Sequence, residues 1–303
     1  MNNKKFFNLD KLKICYRVPA VLEAKLTDEQ VIECGMFTLH RTVNSTGVVV
    51  AQVTIPYSVT KTKDVIFGEL KINRDPVLQR EYERFAWLTI ENSVLYGHNF
   101  NLDLADVIES FKNTFGCIFN NVSAADIACD VQYNAAAAIF KVLRTHNFDI
   151  MVMGRTIQDV TAECPYICYE CFGSLVEFTK MHIRIHGKDS KFQFYCYDKK
   201  KDIPKKKKGY ILKKYNIDPE TLFRLEVRLD TDHCRKSARK HHMSEEEWLY
   251  NNLLLEDSLE DTWKEFSRQF IRIKKDRRHI WDVLTFIEND VISNGVSFCH
   301  IPF

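Results

Sequence analysis

The sequence predicts an α+β protein: a curved, mainly antiparallel sheet with flanking helices, followed by a helical C-terminal segment. Three observations lead there. Met36–Val43 and Val48–Ile55 are β-rich runs separated by Asn44-Ser45-Thr46-Gly47, a short hairpin loop containing glycine. Between the β-like runs lie amphipathic stretches of helical period, clearest where Leu104, Val107, Ile108, Phe111 and Phe115 follow a potential cap at Asp103. Beyond the middle 230s the pattern becomes mainly helical, which divides the chain into 1–232 and 233–303.

In order, Phe6–Tyr16 alternates as a first strand and Val65–Ile72 as a later one. Asp75-Pro76 is a helix-start signal, and Phe85–Ser93 is expected to be a strand leading into Leu95–Asn99. Ala125–Val131 is expected to be a strand that puts Asp126, Ala128 and Asp130 on one face, and Asn134 caps a helix over Ala135–Arg144. Residues 147–177 carry several short β-like runs. Cys164, Cys168 and Cys171, followed by His182 and His186, admit either a Cys3His zinc site or ordinary strand and core positions. A turn at Gly187-Lys188-Asp189 opens a strand from Lys191 to Tyr197, with Tyr195 and Tyr197 sharing a face. In Phe223–Leu229 the residues Arg224, Glu226 and Arg228 share a face. Ser244 and Glu247 form a capping box expected to open a helix through about Phe270, and Arg278–Ile292 is expected to supply another.

Composition narrows the function classes. The chain has 303 residues, 45% hydrophobic, enough for one large domain or two modest ones with a sizeable core. No apolar leader precedes the scattered cysteines, so free thiols in a reducing cytoplasm are expected. The longest apolar stretch, Ala135–Phe140, is far too short to span a bilayer. The net charge of +2 says little, but its distribution says more. Lys191–His242 holds 16 Lys and Arg against 7 Asp and Glu, a surplus of +9, so the remainder carries −7. A basic segment on an acidic remainder suits a polyanion.

The tyrosine and the carboxylates each have more than one reading. Tyr197 ends a strand beside lysines, either as an edge aromatic or as a nucleophile facing a phosphodiester. Asp126 and Asp130 on one strand face repel each other unless water or a cation lies between them. Glu226 between two arginines is either a structural ion-pair ladder or an ionised carboxylate at a metal or phosphate site.

Four stretches, in this order, resemble motifs of rolling-circle replication initiators, namely the filamentous-phage replication endonucleases and the staphylococcal-type plasmid initiators. Glu91 through Gly97-His98-Asn99 is similar to their ExSxxKxLxGxN stretch, and Asp126-Ile-Ala-Cys-Asp130 to their RIDxAxD strand. Gly187, Ser190, Tyr197-Asp198-Lys199 and Asp202 follow GSxxS…YDKxxE, and Phe223–Arg228 resembles xRxExRL. The likeness spans about Phe85–Leu229. It departs from the family where Ala124 and Ala125 replace the arginine before the first aspartate, where the lysine before Leu-x-Gly is missing, and where Asp202 replaces a glutamate.

The resemblance implies a metal-dependent, site-specific nickase with Tyr197 as nucleophile and Lys199 neutralising transition-state charge. Mg²⁺ or Mn²⁺ is expected on Asp126, Asp130, Glu226, His98 and Glu91. DNA contacts are expected from Tyr195, Lys200, Lys201, Lys205, Lys206, Arg224 and Arg228, and from Arg235, Lys236, Arg239 and Lys240 in the helical segment. Origin DNA, single- and double-stranded, is the implied partner, with a host helicase and polymerase and a possible homodimer. A mobilisation relaxase and a non-catalytic DNA-binding replicon regulator are the rival readings.

Overall fold

In the computed structural model the described residues are 4–58, 61–74, 83–144, 149–157, 167–171, 181–186, 191–274 and 280–288. Asp75-Pro76, Cys164, Gly187-Lys188-Asp189 and Ser190 lie outside them, as do the side chains of Cys168, Cys171, His182 and His186. The architecture is α+β, with mainly antiparallel strand pairing and helices in the C-terminal region. The chain opens with β1 (Lys5–Pro19), α1 (Ala20–Asp28), β2 (Val31–Cys34), β3 (Phe37–Asn44), β4 (Val48–Ser58), β5 (Lys61–Asn73) and β6 (Glu83–Ile90). Next come α2 (Asn92–Leu95), α3 (Leu104–Thr114), β7 (Ile118–Val131), α4 (Ala135–Arg144), β8 (Asp149–Val152), β9 (Arg155–Ile157), β10 (Ile167–Cys171), β11 (Met181–His186) and β12 (Gln193–Asp198). The last part holds α5 (Lys199–Lys205), α6 (Tyr210–Tyr215), β13 (Phe223–Asp230), α7 (Thr231–Lys240), α8 (Glu245–Trp248), α9 (Leu259–Phe270), β14 (Ile271–Lys274), β15 (Ile280–Asp282) and α10 (Val283–Phe286).

The chain forms two compact units. One contains residues 1–8, 127–229 and 256–303, the other 9–126 and 230–255. The chain passes from one unit to the other at Leu229–Asp230, and residues 233–303 are divided between the units.

In the unit of 9–126 and 230–255 the strand order is β7-β1-β6-β5-β4-β3-β2. Alternation buries Leu12, Ile14, Tyr16 and Val18 of β1 with Ala86 and Leu88 of β6, and α3 covers this face with Val107, Ile108 and Phe111. Aromatic edges knit the layer: Phe111 meets Phe37 at 5.3 Å and Phe115 at 4.9 Å between ring centroids. Asp103 caps α3 as its sequence predicts, accepting from the Asp106 amide at 3.0 Å. At Gly68 a Cβ would come within 2.3 Å of the Thr89 carbonyl oxygen, so only glycine lets β5 approach β6 there.

In the unit of 127–229 and 256–288 the order is β10-β11-β12-β13-β7, and a separate small sheet runs β15-β14-β8-β9. Helix α9 buries Leu259, Trp263, Phe266 and Phe270, the spacing of one helical stripe. Phe192 and Phe194 pack on it, with ring centroids 4.2 and 5.8 Å from Phe270. The capping box at Ser244 and Glu247 is present, but it opens only α8 and a π-helical turn, Leu249–Leu254. Leu255 is extended and α9 starts afresh after Ser258, so the single helix expected through Phe270 is interrupted. Of the helix expected over Arg278–Ile292 the described residues are 280–288, and they begin with strand β15 followed by the short α10, capped by Asp282.

Candidate active site

Strands β12 and β13 pair antiparallel with Tyr195 opposite Glu226 and Tyr197 opposite Arg224. Because side chains alternate, Tyr195, Tyr197, Arg224, Glu226 and Arg228 project from one face while Phe194, Cys196, Leu225 and Val227 fill the core. The indole N–H of Trp263 donates to the Leu225 carbonyl at 3.2 Å, which fixes β13 from the core side.

On the polar face Tyr197 Oη donates to Glu226 Oε2 at 3.0 Å. Arg228 Nε donates to the other oxygen, Glu226 Oε1, at 2.7 Å. The guanidinium of Arg228 also lies 4.3 Å from the centre of the Tyr195 ring, a cation–π contact. Tyr195 Oη turns away, donating to Gln193 Oε1. Glu226 is 1% exposed, so its charge is held in a dry setting by one cation and one phenol, whereas Tyr197 stays half-buried.

Lys199, expected to neutralise charge beside Tyr197, is the first residue of helix α5. Asp198 caps that helix, accepting from the Lys201 amide at 3.1 Å, and the Lys199 and Lys200 amides reach the Leu222 carbonyl at 2.8 and 3.0 Å. This turn folds the Lys199 side chain inward, 1% exposed, with its ammonium 5.6 Å from the centre of the Tyr197 ring. Asp202 pairs with that ammonium at 3.4 Å and with Lys206 at 3.0 Å. Burial pushes the Asp202 carboxyl up, but Lys206 and Lys199 outweigh it and hold it below its ordinary value.

Asp130 and Arg224 form a second cluster. Arg224 Nε and one terminal nitrogen donate to Asp130 at 2.7 and 2.6 Å, a bidentate pair with both side chains 0% exposed. Tyr215 of α6 adds a third donor to Asp130 at 2.9 Å and stacks on Phe6, with centroids 4.3 Å apart. Arg224, expected at DNA, is thus enclosed, and both oxygens of Asp130 already accept hydrogen bonds. Sequence reasoning missed Tyr215 and Trp263. Nothing marks a tyrosine among lysines, or a tryptophan on a helical stripe, as a brace for a carboxylate or a strand.

The remaining expected positions spread over the two units. Lys200 and Lys201 pair with Asp218 at 2.9 Å and Asp198 at 3.0 Å, and Lys205 and Lys206 are exposed at the end of α5. Asp126 belongs to the other unit and is 8% exposed. Glu91, also there, is exposed at the start of α2, and His98 follows Gly97, whose φ of +66° takes the turn into the left-handed region. Along α7, Lys236, Arg239 and Lys240 are on the outer side, while Arg235 pairs with Glu245 at 3.2 Å.

Two of the carboxylates expected at a metal, Glu226 and Asp130, are engaged by protein donors. Glu226 is the hard oxygen donor nearest Tyr197, but each of its oxygens already accepts from a protein donor. Among the described residues no group of three His, Cys, Asp or Glu side chains could hold a metal ion. Around Tyr197 the structure thus gathers a carboxylate that accepts from its hydroxyl and a buried ammonium near its ring.

No protein-family model and no curated protein matches this chain. Among solved structures, a rolling circle replication initiator protein from Geobacillus stearothermophilus is similar, with a TM-score of 0.46 and 11% identity over 94% of this chain and 96% of that one.

Proposed function

We propose that this chain is a rolling-circle DNA replication initiator, a tyrosine-dependent nicking and joining endonuclease acting on origin DNA. The observation that carries the reading is the 3.0 Å hydrogen bond from Tyr197 to Glu226, on the strand where the sequence motif puts its nucleophile. A phenol with an ordinary pKa of about 10 needs a proton acceptor and a nearby positive charge to attack at neutral pH. Glu226 supplies the acceptor and Lys199 the charge.

In the forward step the Tyr197 oxygen bonds to the scissile phosphorus as its proton passes to Glu226. The bond from phosphorus to the 3′ oxygen breaks, that oxygen takes up a proton from water, and a 5′-phosphotyrosyl enzyme and a free 3′-hydroxyl result. Rejoining is the reverse, with a 3′-hydroxyl as nucleophile and Tyr197 as leaving group. The lysines exposed on α5 supply phosphate contacts, and Tyr195 a stacking surface. A Mg²⁺ or Mn²⁺ requirement belongs to the proposal on the motif resemblance alone, and cleavage assays after EDTA dialysis test it. A host helicase and polymerase, a homodimer and a cytoplasmic setting are likewise part of the proposal.

The test uses a pool of random-sequence single-stranded oligonucleotides, screened for protein adducts that survive SDS. Wild type and Tyr195→Phe are expected to form adducts and Tyr197→Phe none. Glu226→Gln should slow adduct formation by about 10²–10⁴-fold while leaving DNA binding in place. Adducts that persist in Tyr197→Phe would overturn the assignment. No adduct from any oligonucleotide would leave a non-catalytic DNA-binding protein as the better reading.

A further inference from the structure

The sheet of the unit formed by 9–126 and 230–255 has a second face that the nicking chemistry does not use. On β1 it carries Lys11, Lys13 and Arg17, on β6 Phe85 and Trp87, and on β5 Lys71. The register sets them side by side: Trp87 lies between Cys15 and Lys71, Phe85 opposite Arg17, and Lys13 opposite Thr89. Lys11 and Lys71 are exposed, and the other four are half-buried. The Lys13 ammonium stands 5.7 Å from the centre of the Trp87 ring. Beside Trp87 on the same face, Cys15 is 2% exposed and is met by the Asn120 amide nitrogen at 3.7 Å.

Among the described side chains of β1, β5 and β6, acids on this face are fewer than cations. Glu69 is exposed opposite Thr89, and Glu83 is tied to Arg17 at 3.2 Å. Lys13 is held below its ordinary pKa, first by burial and then by the like charges of Lys71 and Lys11. Cations held together in this way are complementary to an anion. A strand rises about 3.3 Å per residue, so the two rings on β6 are spaced about 6.6 Å apart along it, with ammonium groups on either side.

We infer that this face binds single-stranded DNA, the bases stacking on Trp87 and Phe85 and the phosphates meeting Lys11, Lys13 and Lys71. A duplex is the poorer fit, because its bases stack on one another and offer no free ring face to the sheet. Every unpaired base does offer one, whatever its sequence, so binding here is sequence-tolerant and weakens as salt rises. This face adds a way of holding an unpaired strand that does not depend on the tyrosyl chemistry.

Fluorescence anisotropy of labelled oligo(dT) with the full chain tests it, alongside quenching of tryptophan emission. Trp87→Ala should weaken binding at least about fivefold and Trp87→Phe much less. Lys13→Gln/Lys71→Gln should lower the slope of log affinity against log salt by about 0.7 for each phosphate that a lysine no longer neutralises. The same pattern is expected in a Tyr197→Phe background, so failure of the nucleophile assignment and failure of this one read differently. If Trp87→Ala loses its cooperative thermal transition, the lysine pair decides. Oligo(dT) binding unchanged in the lysine double variant, or a blunt duplex bound as tightly as the single strand, would overturn the inference.

Discussion

Asp130 and Arg224 are both fully enclosed, so neither charge can be removed without stranding the other. Asp130→Asn should cost about 3–5 kcal/mol, seen as a lowered Tm, because it leaves a buried guanidinium without its carboxylate. Replacing both, as Asp130→Leu/Arg224→Met, should recover much of that loss, and a double variant no better than the single would contradict the structural role. Asp202 works differently. Its folded pKa is held below the ordinary 3.8, so its contribution is present above that value and fades as pH falls through the lowered one. Asp202→Asn should therefore be less stable than wild type at pH 7 by under about 1 kcal/mol, with the two denaturation midpoints converging in acid. A gap that persists in acid would remove the two lysines as its cause. The tyrosine, the carboxylate and the arginines were all legible in the sequence by their alternation. Which carboxylate meets the tyrosine was not, because Asp130 and Glu226 look equally available until Arg224 is seen to enclose the first.

Among the elements, strands were the most legible in their facing, since alternation with a buried face pins it, but less so in extent: β7 starts at Ile118 rather than Ala125, and the strand expected over Phe85–Ser93 ends at Ile90. The hairpin of β3 and β4, the capped helix α3 and the pairing faces of β12 and β13 follow the sequence closely. Helices near the lysines were not legible. Helix α5 has too few apolar positions to show a period, and its start depends on Asp198 capping and on the Leu222 carbonyl, contacts that no local pattern announces. The same limit broke the long C-terminal helix, because a stripe can continue past a residue such as Leu255 whose backbone is extended. Helix α7 offers a direct experiment at this scale. Its buried side is Cys234, Ser237 and Ala238, which leaves Lys236, Arg239 and Lys240 outward. Lys236→Ala/Arg239→Ala/Lys240→Ala should weaken duplex binding and reduce the slope of log affinity against log salt by about 0.9 for each phosphate left without its cation. An unchanged slope would mean that this helix does not meet the phosphate backbone.

For the whole molecule, each compact unit is built from separate stretches of the chain. Strands β1 and β7 each run from one compact unit into the other, so residues far apart in sequence share a unit while near neighbours do not. The basic segment includes α5 in one unit and α7 in the other. No helix among the described residues is long and apolar enough to cross a membrane. The proposed activity turns on one covalent bond. Wild-type protein trapped as an SDS-resistant adduct can be digested with nuclease and protease and the modified peptide sequenced by mass spectrometry. The expected product is a nucleotide joined through its 5′ phosphate to Tyr197. The same phosphate on Tyr195, Tyr215 or a serine would contradict it.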